Sequence, residues 1–354
     1  MQITKVVVTP VELSLRHPVR MSALPEITQV TALFVRIEIL AGRIAWGCAV
    51  AHQHLTGEDP NDGLQACLAC ADRTSDLHPT NINYSLAELA PLMKDSPAAK
   101  CAFDLAFHDL LGLAAGMPLY RLLGGYRHRI QTSVTVPLSD VQESVALACG
   151  FAERGFRMLK IKGGLDPELD VRRVQSIHRA LPDLILRLDA DGGYSVHDAL
   201  EVSRALESKL EMLEQPTSPD DLNGLQQVTR NSPVPILADQ SVAGPSSALK
   251  LAAERTIDGF SIKLATCGGL HCATQMDAIA RAAGIATMVS CLIEPALLIA
   301  AGLHFALSSP NVRYVDLDGH LELLGDPTLA GFQLQDGWLI VNDVPGLGCT
   351  VEML

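Results

Sequence analysis

The sequence has 354 residues, of which 48% are hydrophobic and 19% are charged, and its formal net charge is −13. A chain of this length can bury a large core and more readily forms two domains than one. The acidic balance argues against nucleic acid or an anionic membrane surface as a partner, since both attract basic patches, so we expect a small-molecule substrate.

The first third of the chain, residues 1–125, is predicted to form a small α+β domain. The segments KVVVTPVELSL and VTALFVRIEI have the composition of strands that can pair antiparallel, and the polar stretch RHPVRMSALPEIT between them is predicted to be a loop. Helical spacing follows around residues 62–72, 85–93 and 97–114.

The cysteines indicate a reducing environment. There are nine of them, an odd number, and the first residues show no cleavable signal, so we expect free thiols and a cytoplasmic protein. Cys67 and Cys70 form a C-x-x-C motif on a predicted helix, where packing is favoured over redox or metal use. The longest apolar stretches fall short of the ~18 residues of a membrane span, so none is expected.

From about residue 129 short apolar runs alternate with helical segments such as DPELDVRRVQSIHRAL, VHDALEVSRALES and SALKLAAERT. This alternation is typical of a parallel sheet with crossover helices. Eight strand candidates without a glycine-rich nucleotide turn favour closure into an α/β barrel over residues 126–324. The candidates are IQTSVTV, RMLKIKG, LILRLDA, LEMLEQP, VPILADQ, GFSIKLA, IATMVSC and VRYVDLD.

A charged residue stands near the carboxyl end of five successive strand candidates, at separations of 27, 25, 25 and 24 residues. One βα unit of a barrel takes roughly 25 to 30 residues, so these side chains are expected to converge at one mouth. A single acid at a strand end is more often a loop cap than a ligand, but the constant spacing favours a common site. The five residues are Lys162, Asp189, Glu214, Asp239 and Lys263.

Three converging carboxylates would repel one another unless a cation neutralised them, and oxygen ligands of this kind suit one Mg²⁺. The two lysines would flank the ion as proton acceptors, with pKa values depressed by burial and by the cation. Lys160 shares a strand face with Lys162, and either a supporting role or a solvated charge remains open for it.

At these residues the sequence resembles the enolase superfamily, in its muconate-lactonizing-enzyme subgroup. The resemblance runs through FRMLKIKGG, LRLDADGGYS, LEMLEQP, VPILADQS and FSIKLATCGGL, and it extends to HLTGEDP in the first domain. It implies an N-terminal capping domain over a modified TIM barrel, (β/α)7β, with residues 325–354 packing back onto the cap. It also implies Asp189, Glu214 and Asp239 as magnesium ligands, Lys162 and Lys263 as the acid/base pair, and proton removal α to a carboxylate to give an enediolate.

A D-x-D motif at the eighth strand, Asp316 and Asp318 in YVDLDGH, resembles the dipeptide epimerases, in which it receives the α-ammonium group of the substrate. The alternative is that these acids cap the following turn. The implied reaction is two-base inversion at the α-carbon of the C-terminal residue of an L,L-dipeptide, with Mg²⁺ and Lys160 holding its carboxylate. Thr135 is also expected to contact the substrate.

Two departures from the family pattern lie near the predicted site. Gln240 follows the third ligand where Glu is common, and Asp191 stands where Asn is common. A third departure is Cys48 in WGCAV, where relatives usually carry Glu, and nothing in the sequence explains it.

Substrate specificity is implied to come from the cap segment at about residues 17–28 and from the last barrel strands. This segment carries Glu26 and no Arg after Arg20, so cationic or apolar dipeptides are favoured over Ala-Glu. Barrels of this size commonly self-associate, and a homo-oligomer is expected.

Two groups of alternatives remain. A muconate cycloisomerase, an o-succinylbenzoate synthase or an N-acylamino acid racemase would share the lysines and the ligands but would not need the D-x-D motif. A catalytically silent binding barrel is disfavoured by the intact lysine pair.

Overall fold

The structure, a computed structural model, describes residues 2–22 and 24–352; Met1, Ala23, Met353 and Leu354 lie outside the described residues. The N-terminal part is an antiparallel sheet of three neighbouring strands covered by helices. Its elements are β1 (Ile3–Met21), β2 (Leu24–Ile39), β3 (Ile44–Ala51), α1 (Pro60–Thr74), α2 (Ile82–Leu89), α3 (Pro97–Ala115) and α4 (Leu119–Leu122).

The polar segment between the first two strands is not a loop, as the sequence predicted, but the outer part of a long hairpin. Val19 pairs with Ile27 and Met21 pairs with Leu24, after a register irregularity between Ser14 and Val19. Ile27 is only 3% exposed, so the hairpin contains a buried apolar residue. The polar residues around it in the sequence give no sign of this burial. Of the predicted specificity segment 17–28, Ala23 lies outside the described residues.

Strand β3 was not predicted, because its sequence IAWGCAVA lacks polar alternation. It is buried almost throughout, and helix α3 packs directly on it. A Cβ atom at Gly47 would lie 1.9 Å from the carbonyl oxygen of Ala102, so this close approach of strand and helix requires glycine.

Eight parallel strands form the barrel, and each of the eight predicted candidates contains one of them. A hydrogen bond from the Ser133 amide to the Val315 carbonyl, 3.2 Å long, links the region of the first strand to the last. The α/β fold class is therefore confirmed as a nearly closed barrel beneath an antiparallel capping sheet. After β4 (Arg129–Gln131), the barrel strands are β5 (Val134–Val136), β6 (Met158–Lys162), β7 (Ile185–Asp189), β8 (Leu210–Glu214), β9 (Ile236–Ala238), β10 (Gly259–Lys263), β11 (Ala286–Ser290) and β12 (Val312–Asp316).

Helices connect these strands, as the alternating sequence pattern predicts. Helix α12 is buried along its whole length because it lies between the barrel and the elements around it, which explains its sequence ALLIAAGLHFALS. The connecting helices are α5 (Val141–Glu153), α6 (Pro167–Ala180), α7 (Val196–Ala205), α8 (Leu222–Asn231), α9 (Pro245–Ala253), α10 (Leu264–Cys267), α11 (Leu270–Ala283) and α12 (Ala296–Ser308).

The chain then returns toward its beginning. The Leu347 amide donates to Asp109 on α3, and the Leu119 amide on α4 donates to Gly346. No helix among the described residues is long and apolar enough to cross a membrane. A 3-10 helix (Gly319–Glu322) is followed by β13 (Leu323–Leu324), which pairs with β1, and by β14 (Thr328–Leu329), β15 (Phe332–Gln335), β16 (Trp338–Val341) and β17 (Thr350–Val351).

Candidate active site

The carboxyl ends of the barrel strands bring five charged side chains to one mouth. Lys162, Asp189 and Glu214 stand opposite one another in the register of β6, β7 and β8. Asp239 directly follows β9, and Lys263 ends β10. The three strands with carboxylates therefore lie between the two strands that end in lysine.

The three carboxylates form a compact cluster. Asp189, Glu214 and Asp239 each offer an oxygen, and these atoms all lie within 4.8 Å of one another. Glu214 is fully buried, and within the described residues neither of its oxygens accepts a well-oriented hydrogen bond. Burial raises its pKa to about 8, and the charge of Asp189 acts in the same direction. A buried carboxylate whose oxygens accept no well-oriented hydrogen bond fits a site built for a cation, and an all-oxygen set is what Mg²⁺ prefers.

Lys160 is not a solvated charge, since it is only 3% exposed. Its ammonium lies 2.9 Å from Asp189, 2.9 Å from Glu214 and 2.8 Å from Asp316. Burial lowers the pKa of Lys160, but these acids outweigh that effect and hold it well above its ordinary value. Lys160 thus links the carboxylate cluster to the end of β12.

Lys162 and Lys263 contact acids on different strands. The Lys162 ammonium lies 2.8 Å from Asp189 and 2.9 Å from Asp191, while the Lys263 ammonium contacts Asp239. Burial lowers the pKa of each lysine, but the adjacent carboxylates raise both above their ordinary value. The depressed pKa values expected from the sequence would therefore require the positive charge of an ion among these acids.

Asp316, which ends β12, and Asp318, which follows it, lie beside Lys160 and Thr135. Asp316 accepts a 2.8 Å hydrogen bond from Ser133, and Asp318 accepts a 2.7 Å hydrogen bond from the Thr135 amide. Asp318 precedes the 3-10 helix but makes no side-chain cap to it, which disfavours the turn-capping alternative. Burial and the charge of Asp316 raise the pKa of Asp318 to about 6.

Glu26, the other predicted substrate contact, lies on the cap hairpin. Its carboxylate pairs with Arg20 at 2.6 Å, and the side chains of Arg20 and Glu26 are 75% and 40% exposed. The hairpin reaches the barrel through Ser22, whose hydroxyl contacts the carbonyl oxygens of Ala190 and Asp191 at 3.3 and 3.2 Å. The segment therefore contacts the loop after β7, while the Glu26 charge is neutralised by its neighbour.

The structure adds residues that the sequence analysis did not single out. Gln215 is fully buried, and its side-chain oxygen Oε1 accepts hydrogen bonds from the backbone amides of Asp239 and Ser241 at 2.8 and 3.1 Å. Glu294 is 2% exposed in the loop after β11, and burial raises its pKa to about 8. A polar residue next to a ligand, as in LEQP, is the signal that could have identified Gln215.

The cysteines pack rather than pair. All nine are free, and both Cys67 and Cys70 are buried on α1. Burial raises the pKa of Cys70 to about 12, so its thiol is not reactive at neutral pH. Cys48 is fully buried on β3, and its carbonyl oxygen accepts a contact from the thiol of Cys101.

Two family models match this chain. The model of the mandelate racemase / muconate lactonizing enzyme N-terminal domain matches residues 3–124. The model described as enolase C-terminal domain-like matches residues 143–353.

Individual relatives match over nearly the full length. A protein of Methylococcus capsulatus named L-Lys-D/L-Arg epimerase is 36% identical, over 98% of this chain and 99% of the relative. An Enterococcus faecalis protein named hydrophobic dipeptide epimerase is 34% identical, over 92% of this chain and 93% of the relative. A crystal structure of the Enterococcus faecalis dipeptide epimerase with Mg and L-Leu-L-Tyr superposes with a TM-score of 0.95 at 32% identity, covering 99% of this chain and 100% of that one.

Proposed function

Because this chain belongs to the mandelate racemase / muconate lactonizing enzyme family of the enolase superfamily, we propose that it is a magnesium-dependent dipeptide epimerase. It inverts the α-carbon of the C-terminal residue of a dipeptide. The single observation that carries this conclusion is the joint presence of a carboxylate cluster between two lysines and a separate acid pair, Asp316 and Asp318, at the same mouth.

Asp189, Glu214 and Asp239 would hold the magnesium ion. A bound ion supplies positive charge that stabilises the negative charge developing on the substrate carboxylate as the α-proton leaves. Lys160 lies beside two of these carboxylates and is positioned to donate to the same substrate group.

Lys162 and Lys263 are assigned to proton transfer at the α-carbon. One removes the proton to give an enediolate, and the other returns a proton to the opposite face, as inversion requires. The strand order supports this assignment, because the three strands that carry the carboxylates lie between the strands of Lys162 and Lys263. A reaction that eliminates a leaving group would need only one base, so the paired lysines favour epimerisation.

Asp316 and Asp318 are assigned to the α-ammonium group of the dipeptide. Both acids adjoin barrel groups that fix them, Ser133 for the first and the Thr135 amide for the second. Two carboxylates offer charge-assisted acceptors to an ammonium group, whereas an N-acylated substrate would bring no positive charge to them. Thr135 is assigned to the substrate pocket because it pairs with Lys160 in the sheet.

Cationic dipeptides are the preferred substrate class within this assignment. The mouth holds six carboxylates (Asp189, Asp191, Glu214, Asp239, Asp316 and Asp318) against the ammonium groups of Lys160, Lys162 and Lys263. The formal balance stays negative even with a divalent ion, which favours a substrate that brings positive charge. Glu26 contributes less to this preference for cationic substrates than the sequence suggested, because its carboxylate is already paired with Arg20.

Deuterium exchange at Cα tests this function. Purified protein with Mg²⁺ in deuterated water is incubated with L-Arg-L-Lys, L-Leu-L-Tyr, L-Ala-L-Glu and N-acetyl-L-lysine, and the mass gain and the epimer ratio are measured. We expect exchange and inversion with free dipeptides, fastest with the cationic one. Exchange confined to the N-acyl compound would instead indicate a racemase. No exchange despite bound metal would indicate a binding barrel without catalytic activity.

We also propose a cellular location and an oligomeric state for the enzyme. A cytoplasmic location agrees with nine free thiols, and self-association agrees with the size of the barrel. Sedimentation of the purified protein measures the oligomeric state.

A further inference from the structure

We propose that Asp191 and Gln240 act together as a positioning pair for Lys162. The inference rests on the proposed function, because Lys162 matters as a base only in that reaction. It stands on the contacts that join the Lys162 ammonium to the Asp191 carboxylate and this carboxylate to the Gln240 amide.

Asp191 fixes the end of the Lys162 side chain. Its two carboxylate oxygens lie 3.0 and 2.9 Å from the lysine ammonium, and its side chain is only 6% exposed. A second contact, from the ammonium to Asp189 at 2.8 Å, holds the other side. The ammonium is therefore held between the carboxylate that ends β7 and a carboxylate in the loop after it, which restricts the direction from which it can reach a substrate.

Gln240 fixes Asp191 in turn. Its side-chain amide donates a 3.0 Å hydrogen bond to the Oδ1 atom of Asp191. Gln240 directly follows Asp239, so this bond joins the loop after β9 to the loop after β7 across the mouth. The Gln240 side chain can serve in this way because it is a donor, which a glutamate at the same position would not be.

The charges and hydrogen-bonding groups of the two side chains explain why these two residues belong together. Asp with Gln, and Asn with Glu, each provide one carboxylate and one amide that can hydrogen-bond to each other. Asp with Glu would place two carboxylates in contact, and Asn with Gln would leave Lys162 without this counter-charge. Exchanging the two residue types would therefore keep the hydrogen bond and the total charge, while in this chain the carboxylate that carries the charge contacts Lys162 directly.

The backbone holds Asp191 in the required orientation. Its φ of 45° lies in the left-handed region, which few residues other than glycine adopt. Its amide donates to Asp189 at 3.1 Å, and its carbonyl accepts from Ser22 of the cap hairpin at 3.2 Å. The conformation is thus fixed from both the barrel and the cap.

Epimer-resolved deuterium exchange in a swap cycle tests the pair. The variants are D191N, Q240E and the double variant D191N/Q240E, with D183N as a control because Asp183 is exposed at the other end of β7. In D191N we expect the kcat for exchange from the epimer served by Lys162 to fall about 10- to 100-fold, as misplacement of a reacting group predicts. Exchange from the epimer served by Lys263, KM, Mg²⁺ affinity by calorimetry and thermal unfolding should change little. The double variant should recover most of the loss.

Two results would overturn the pair. One is an equal loss for both epimers in D191N, and the other is a double variant no faster than D191N. If D191N does not fold, Q240M tests the same contact from an exposed side chain; it should slow the Lys162 epimer selectively, and an unselective or absent effect would count against the proposal. An unaltered protein without exchange on any dipeptide would instead refute the proposed function, and the pair with it.

Discussion

Replacing Lys160 by methionine should destabilise the protein in the absence of metal. The ammonium lies within 2.9 Å of Asp189, Glu214 and Asp316, and all four side chains are almost fully buried. Removing one partner of a buried ion pair costs about 3–5 kcal/mol, because the remaining charge is left uncompensated. With an unfolding entropy of about 2.1 cal/mol/K per residue over this chain, the loss corresponds to a decrease in Tm of about 4–7 °C.

Differential scanning calorimetry at pH 8 measures this effect, with a chelator and then with saturating Mg²⁺. Magnesium should recover part of the loss, since an ion would compensate Asp189 and Glu214 but not Asp316. The control is Lys250→Met, because Lys250 is an exposed lysine on α9, and its Tm should stay within about 1 °C of the unaltered protein. An unchanged Tm for Lys160→Met in chelator would show that the three carboxylates do not depend on this lysine.

Three further predictions concern the two bases, the acid pair and a buried glutamate. Lys162→Ala should abolish deuterium exchange from one epimer and Lys263→Ala from the other, and loss of the same epimer in both variants would refute the two-base assignment. Asp318→Asn should raise KM for dipeptides about 10- to 100-fold through loss of a charged hydrogen bond, with a smaller effect on kcat, and an unchanged KM would remove Asp318 from ammonium binding. Burial raises the pKa of Glu294 to about 8, so the folded state retains its proton where the unfolded chain loses it, and stability should fall as pH rises from about 4.5 to about 8. Glu294→Gln should flatten this part of the stability profile measured in chelator, and the same slope in both proteins would contradict the raised pKa.

The barrel and the positions of its charged residues could be predicted because spacing along a repeat becomes position in space. Each βα unit returns the chain to the same end of the sheet, so intervals of 24 to 27 residues bring Lys162, Asp189, Glu214, Asp239 and Lys263 together. No long-range contact had to be known, since the repeat itself sets the geometry.

The capping hairpin could not be predicted in the same way. Its pairing depends on which residues face the core after a register irregularity, and Ile27 is buried within a segment that is otherwise polar. Strand β3 could not be predicted because both of its faces are buried, so its sequence shows no alternation of apolar and polar residues. In both cases tertiary contacts decide the structure against the local pattern.

The least predictable feature is the contact between Lys160 and Asp316, which lie on β6 and β12. Strand β5 is hydrogen-bonded to β6, and the Ser133 amide just before it reaches β12, so the contact requires closure of the sheet into a barrel. Closure places the Lys160 ammonium group against Asp189 and Glu214 of the carboxylate cluster and against Asp316 of the acid pair. These two halves of the proposed site therefore share one positive charge. A divalent ion at the cluster would weaken the electrostatic attraction of Asp189 and Glu214 for Lys160. A substrate ammonium group at Asp316 would likewise weaken the attraction of Asp316 for Lys160. In the proposed complex, binding at either half would therefore leave Lys160 more available to donate to the substrate carboxylate.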